Sequence, residues 1–355
     1  MDQSESHGPE LTELLARLVR GEHLDTDDAE HAFRAIMEGR ASPVLAAALL
    51  VALRAKREMP TEVAGGVRAL RAAMVPVSAD RPHDLVDTCG TGGGAVTTFN
   101  ISTAAALLAA GAGVRIAKHG NRSFTSRCGS ADVLAELGVI IELTPAAMAE
   151  VLTEAGIVFM FAPLLHPAMR HVAPVRRELG IATVMNVLGP LTNPAGARRQ
   201  VVGVADPGLL ELIAGGLHEL AHKHALVVHG EPGIDEFSPI GATDVIELHN
   251  GEVKRFRVTP EQLLGSRPGD ADGLRGGTPD YNARIVTGVL DGSIKGAARA
   301  AVVLNAAAAI YIGEKAGSLE AAVAVAQDAL DAGAGIAALE RLRAATGKAA
   351  SRHAG

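Results

Sequence analysis

The sequence predicts an α/β protein preceded by a helical N-terminal layer, and three observations carry that prediction. Residues 8 to about 74 show helical periodicity, the stretch after them is broken by prolines, and beyond it short apolar runs alternate with helices. Near-continuous apolar strands separated by helices imply a parallel or mixed sheet covered on its faces. At 355 residues the chain suits about two domains.

Leu11, Leu14, Leu15 and Leu18 stand at i, i+3, i+4 and i+7, and Ala29, Phe33, Ile36 and Met37 carry a second helical stripe. Ser42 followed by Pro43 is an N-cap with proline at the first helical position, opening a third helix through Leu53. Val63, Val67, Leu70 and Met74 mark a fourth. This layer is short on core, so its spare apolar surface suits packing on the rest of the chain or on a second copy. Val75 to Asp84, with Pro76 and Pro82, reads as a linker. Leu85-Val86 then leads into a glycine-rich turn and a helix from Ile101 to Ala112. Strands are expected at Val114–Ala117, Val139–Leu143, Ile157–Phe161, Val201–Ala205 and Ala225–His229. Helices fall at Ser130–Leu137, after Thr144-Pro145, and after Asp206-Pro207. Val245–Val258 reads as a hairpin turning at Asn250-Gly251, and Ala-rich helices follow at Ala297–Ile312 and Leu319–Leu330.

Composition narrows the function classes. The chain is 48% hydrophobic and 21% charged, which excludes a disordered or fibrous protein. Its formal charge of −7 argues against bulk adhesion to nucleic acid or an anionic membrane. With no Trp, two Tyr and seven Phe, it has few platforms on which single-stranded bases could stack. Cys89 and Cys128 are too few for a disulfide framework. The first six residues are polar and acidic, unlike a targeting peptide, and Val44–Leu53 is about half a membrane span. The expectation is a cytoplasmic protein that binds neither membrane nor nucleic acid.

Four constellations carry chemistry. Asp87-Thr88-Cys89-Gly90-Thr91-Gly92-Gly93-Gly94 is followed by Thr98-Phe99-Asn100-Ile101-Ser102-Thr103 at a helix start. Open backbone amides, a helix N-terminus and hydroxyls suit an anion, although a glycine-rich structural turn would look the same. Neither a Walker loop nor the dinucleotide spacing is present. Lys118 to Ser126 places two cations, an amide and three hydroxyls after a strand, which suits a multiply charged phosphate ligand. Asp235-Glu236 are adjacent carboxylates at another strand's end, a pair suited to Mg²⁺ beside a phosphate. Arg176, with Arg177 as its rival, could hold a substrate carboxylate in a bidentate pair. The thirteen histidines show no zinc spacing.

Together these residues, with Gly129-Ser130-Ala131-Asp132-Val133-Leu134 and Asn186-x-x-Gly189-Pro190-Leu191-x-Asn193-Pro194, closely resemble the anthranilate phosphoribosyltransferase family. The resemblance covers most of the chain. It implies a small N-terminal helical domain, residues 1–80 joined by a segment near 166–194, and a larger α/β domain, residues 81–355. The larger domain would hold a central, mostly parallel sheet flanked by helices. The implied reaction moves the phosphoribosyl group of phosphoribosyl pyrophosphate to the amine of anthranilate, releasing pyrophosphate, in tryptophan biosynthesis. Gly90, Gly93, Gly94, Thr98, Asn100, Ile101, Ser102, Thr103, Lys118, His119, Gly120, Asn121, Arg122, Ser123, Phe124, Thr125, Ser126 and Ser130 would then bind phosphoribosyl pyrophosphate. Ser102, Asp235 and Glu236 would hold Mg²⁺, and Gly90, Asn121 and Arg176 would contact anthranilate, with His119 and Pro163 along its path. The resemblance assigns no general base and implies a homodimer joined through the helical domain. Gly94 stands where the family often has Asp, Thr125 and Cys128 where it has Ser, Ala182 where it has Arg and Met185 where it has Phe. The Asn121-Arg122-Ser123 continuation, the acidic pair and Gly189-Pro190-Leu191 favour this family over a nucleoside phosphorylase of the same fold. The acidic net charge and the intact loops disfavour a nucleic-acid-binding relative.

Overall fold

Four helices come first in the structure, a computed structural model that describes residues 10–123 and 127–353. They are α1 (Leu11–Val19), α2 (Thr26–Met37), α3 (Pro43–Lys56) and α4 (Pro60–Ala73). Asp25 caps α2 by accepting the Asp28 N–H at 2.8 Å, and Ser42 caps α3 by accepting the Leu45 N–H at 3.2 Å. After residues 75–84 the α/β region begins with β1 (Leu85–Gly90), α5 (Ile101–Gly111), β2 (Arg115–Gly120), α6 (Ser130–Glu136), α7 (Pro145–Ala155) and β3 (Ile157–Phe161). Three helices follow: α8 (Ala162–Leu165), α9 (Met169–Leu179) and α10 (Met185–Leu188). Then come β4 (Arg199–Gly203), α11 (Leu210–Glu219), β5 (His224–Gly230), β6 (Thr243–His249) and β7 (Glu252–Val258). The chain ends in α12 (Pro260–Leu264), α13 (Pro279–Leu290), α14 (Gly296–Ile312), α15 (Leu319–Asp331) and α16 (Ala334–Arg352).

The seven strands form one sheet in the order β3-β2-β1-β4-β5-β6-β7. The first five of the chain run parallel, and β6 and β7 complete the edge as an antiparallel hairpin. Chain order reverses beside β1: β2 and β3 go to one side, β4 and β5 to the other. A crevice forms at such a switch, outside the strands' carboxyl ends.

The central strands are buried along nearly their whole length, and alternate side chains enter two cores. Leu226 and Val228 of β5 join α5 and α14 in one, while Ala225 and Val227 join α11 in the other. The second core continues through Phe33, Leu49, Leu50 and Val67 of the helical layer to Val172, Val175, Met185 and Leu188. Thus α9 packs on α2 and α3, and α10 on α4, which ties the stretch after β3 to the N-terminal helices. Alanine fills much of the first core. α5 buries residues 104–110, all alanine except Leu107 and Leu108, and α14 is buried on nearly every side through Ala297, Ala298, Ala301 and Ala306–Ala309. No single described helix is long and apolar enough to cross a membrane.

Two expectations need correction. Val139–Leu143 is not a strand. Its alternation is real, with Val139, Ile141 and Leu143 buried and Ile140 and Glu142 exposed, but the sheet already ends at β3. The segment lies instead against α16, where the Ile140 N–H donates to Thr346 Oγ1 at 3.3 Å. The strand expected at Val201–Ala205 starts two residues earlier, because Arg199 and Gln200 pair with Val86 and Asp87 of β1. Periodicity also left α9, α13 and α16 unmarked.

Candidate active site

The parallel strands β1, β2, β4 and β5 each end in glycine, and each of these glycines permits a close approach. A Cβ on Gly90 would run into the Asp235 carboxylate, on Gly203 into the Asp235 carbonyl, and on Gly230 into the Glu236 carbonyl. On Gly120 it would meet the Ser130 hydroxyl. Three of the four therefore make room for the acidic loop after β5, which folds back on itself with the Ile234 N–H donating to the Gly230 carbonyl at 2.8 Å.

That loop lies against the glycine-rich turn and the head of α5. Asp235 Oδ2 accepts the Gly92 N–H at 2.9 Å, and Glu236 Oε1 accepts the Ser102 N–H at 3.1 Å. Gly92 and Gly93 turn the chain with φ of 68° and 81°, a conformation that costs glycine nothing. Gly94 stands so close to the acidic loop that a Cβ would lie 2.8 Å from the Gly233 carbonyl oxygen, which accepts the Ala95 N–H at 2.9 Å.

Lys118, only 3% exposed, brings its ammonium to the same place from β2. Its Nζ donates to the Thr88 carbonyl and, at 3.3 Å, to Ser102 Oγ. Burial lowers the Lys118 pKa, against the opposing pull of Asp87, Glu236 and Asp235. Burial, with Asp235 beside it, pushes the Glu236 carboxyl up to about 8. Two crowded carboxylates and a hydroxyl are hard oxygen donors, and their mutual repulsion is what a divalent cation relieves, so the set fits Mg²⁺.

The second loop singled out in the sequence leaves β2 at Gly120. The Asn121 carbonyl accepts the Ala131 N–H at 3.2 Å and the Ser130 hydroxyl at 3.3 Å, which folds the loop back onto the start of α6. Arg122 donates to Asp132 at 2.8 Å, and the Ser123 N–H donates to the same carboxylate at 3.3 Å. Phe124, Thr125 and Ser126 lie outside the described residues. Thr98 is half-buried, and Asn100 heads α5. The Cys128 thiol donates to Asn100 Oδ1 at 3.3 Å.

Two expected contacts are restricted. Thr103 is 1% exposed with its hydroxyl enclosed and unpartnered, and Ile101 is equally buried, so neither offers an accessible side chain to a ligand.

His119 stands next to last in β2, its Nε2 3.2 Å from Nε2 of His166. Burial and the neighbouring His166 and Lys118 hold His119 down at about 3, and burial holds His166 at about 4, so both rings are neutral. Three residues past His166 begins α9, which carries Arg176. Arg176 is half-buried without a side-chain partner among the described residues, and burial lowers its pKa, whereas Arg177 is exposed. Pro163 is exposed at the start of α8.

Beneath the site runs a polar spine that sequence reasoning did not find. Asp87, fully buried, accepts from the Asn193 amide at 2.8 Å, the His119 N–H at 3.2 Å and the Gln200 amide at 3.3 Å. Gln200 also donates to the Pro190 carbonyl at 3.0 Å, fixing the segment that returns from the helical layer. His166, Gln200, Gly203 and Gly230 carry no sequence signal of their own.

A mostly parallel sheet whose glycine-ended strands meet an acidic loop, preceded by a helical bundle, is the architecture of a glycosyl transferase family. The model of the glycosyl transferase family a/b domain matches residues 82–336, and that of its helical bundle domain matches residues 12–74. The chain is 52% identical to the anthranilate phosphoribosyltransferase of Rubrobacter xylanophilus, over 97% of this chain and all of that protein. It belongs to the anthranilate phosphoribosyltransferase family. Among solved structures, the Thermus thermophilus enzyme superposes with a TM-score of 0.88 at 45% identity, covering 94% of this chain and 98% of that one. The Saccharomyces cerevisiae enzyme, in complex with phosphoribosyl pyrophosphate and Mg, gives 0.85 at 25% identity, covering 95% and 98%.

Proposed function

We infer that this chain transfers the phosphoribosyl group of 5-phosphoribosyl 1-pyrophosphate to the amine of anthranilate in tryptophan biosynthesis, using Mg²⁺ held by Asp235, Glu236 and Ser102. The observation that carries the residue assignment is the meeting of the acidic pair with the glycine turn and α5, Glu236 on the Ser102 N–H at 3.1 Å. Magnesium bound there would neutralise charge on the departing pyrophosphate.

The chain's own groups divide the remaining work. The glycine turn from Gly90 to Gly94, Thr98, Asn100 and Ser102, with the loop from Lys118 through Ser126 and Ser130, binds the diphosphate and phosphate. Ile101 and Thr103 contribute through their backbone. Lys118 brings its side-chain nitrogen to the leaving group, where the scarcity of water strengthens its hydrogen bonds. The unpartnered Arg176 guanidinium holds the anthranilate carboxylate, Gly90 and Asn121 complete the acceptor pocket, and His119 and Pro163 line its approach. An aromatic amine is a weak nucleophile, so positioning it against an ionising C1′ supplies much of the barrier reduction, about 7–11 kcal/mol in favourable cases.

Residues 1–80 with the segment near 166–194 form the helical unit, and residues 81–355 the α/β unit. The helical unit also carries the dimer contact. Val19 at 73% exposure, Val44 at 79% and Val51 at 38% leave apolar surface on α1 and α3 for a second copy. The cytoplasm is the compartment of this chemistry.

Loss of anthranilate fluorescence on adding phosphoribosyl pyrophosphate and Mg²⁺ tests the reading. Wild-type protein should consume anthranilate only with magnesium, and the Asp235→Asn/Glu236→Gln variant should not. Folded wild-type protein that leaves anthranilate untouched would sink the acceptor assignment.

A further inference from the structure

The recognisable motifs end at Glu236, yet the acidic loop and the head of α5 are both tied to segments that come after them. Asn305 of α14, 3% exposed, accepts the Phe237 N–H on Oδ1 at 2.9 Å. Its Nδ2 donates to the Phe237 carbonyl at 3.0 Å and to the Ala301 carbonyl at 2.9 Å. One side-chain amide thus satisfies both backbone groups of the residue next to Glu236, as a neighbouring strand would. Asn282 of α13, 1% exposed, donates to Asn100 Oδ1 at 2.9 Å and accepts the Gly277 N–H at 2.8 Å. Beside it the Gly276 N–H reaches the Thr97 carbonyl at 3.0 Å, and the Phe99 N–H reaches the Leu274 carbonyl at 2.9 Å.

Neither loop belongs to a strand where it carries its functional groups. The backbone of Phe237 would have no ladder to join without Asn305, and the Asn100 side chain, which Cys128 holds through a thiol and a carbonyl each at 3.3 Å, would lose its shortest contact without Asn282. A hydrophobic residue of the same size would fill either space but fix no orientation. The two amides hold the two halves of the site separately, one at the acidic pair and one at the head of α5.

We propose that Asn305 and Asn282 are positioning residues for the transfer reaction: Asn305 sets Asp235-Glu236 through the backbone of Phe237, and Asn282 sets Asn100 against the ribosyl phosphate. The proposal rests on the assignment of Asp235-Glu236 to magnesium and of Asn100 to phosphoribosyl pyrophosphate.

The test uses Asn305→Leu and Asn282→Leu in the full chain, with two readouts. Mn²⁺ titration followed by electron paramagnetic resonance, without substrate, reads the metal site. Steady-state kinetics read KM and kcat separately. Asn305→Leu should weaken Mn²⁺ binding about tenfold or more, the scale on which a displaced supporting shell acts, while the KM for anthranilate stays within about twofold. Asn282→Leu should raise the KM for phosphoribosyl pyrophosphate about tenfold and leave Mn²⁺ binding unchanged. A merely structural role predicts a lower Tm and a smaller active fraction, with unaltered KM and metal affinity in the surviving enzyme, and that result overturns the proposal. If Asn305→Leu does not fold, Asn305→Asp keeps the acceptor for the Phe237 N–H, loses both donations, and is read by the same titration. Wild-type Mn²⁺ binding that survives Asp235→Asn/Glu236→Gln would instead overturn the underlying site assignment, and the proposal with it.

Discussion

Gly203 has no side chain, yet the acidic loop depends on it. A methyl group there would occupy the place of the Asp235 carbonyl oxygen, which is backbone and cannot swing away. Gly203→Ala should therefore shift the loop and cut kcat/KM by about a hundredfold, with a stability loss of about 1–3 kcal/mol. Activity assays over a magnesium series, with urea denaturation beside them, check both parts. Arg176 makes the opposite case, a charge without a side-chain partner among the described residues. Arg176→Ala should raise the anthranilate KM at least tenfold and leave the KM for phosphoribosyl pyrophosphate nearly unchanged, because a bidentate carboxylate contact is lost and nothing else is. An unchanged anthranilate KM would remove Arg176 from the acceptor pocket. At this scale the charged residues were legible in the sequence, because lysine, arginine and paired acids stand out beside glycine. The residues that hold them were not. His166 lies 47 positions from His119 and Asn305 lies 68 from Phe237, and no local pattern joins such pairs.

Among the elements, the hairpin between β6 and β7 was the easiest to read. Asn250-Gly251 takes φ of 50° and 87°, the left-handed pair of a two-residue turn matched to strand twist. Gly251→Ala should cost about 1 kcal/mol in urea unfolding and leave the kinetics untouched, since the turn lies at the end of the sheet away from the site. Set beside Gly203→Ala, it separates a glycine needed for its backbone angle from one needed for its emptiness. Helix starts were legible for a similar reason: Ser42-Pro43 and Thr144-Pro145 announce a cap chemically, and both caps form. Val139–Leu143 misled because alternating burial records two environments, not a hydrogen-bonded neighbour. α9 was missed because Pro174 sits inside it, and α16 because its apolar stripe is made of alanine and threonine as much as leucine.

For the whole molecule, buried histidines set the acid limit. His119 and His222 are held at about 3 and His166 at about 4, each chiefly by burial, against 6.5 for an exposed ring. The unfolded chain therefore takes up protons that the folded one refuses. Their stability contribution is complete above about pH 7 and falls by about 1.4 kcal/mol per pH unit for each ring as pH drops below 6.5. Glu236, raised to about 8, acts in the opposite sense between 4.5 and 8, because the folded state there holds the extra proton. Three rings against one carboxyl give these four groups a combined loss of about 3 kcal/mol per unit between pH 6 and 5. Urea midpoints across that range measure the slope, and His222→Gln should lower it by about half. The sheet's strand order was not readable in advance: β3 is followed by β4 on the far side of β1, and only the return through α9 and α10 explains the jump. The alanines of α5 and α14 give the molecule a lopsided tolerance. Truncation there can remove one methyl at most, so little cavity can open, whereas any enlargement meets a neighbouring helix at once. This core therefore cannot grow without displacing a helix, and it can shrink only to glycine, at about 1 kcal/mol for each helical position.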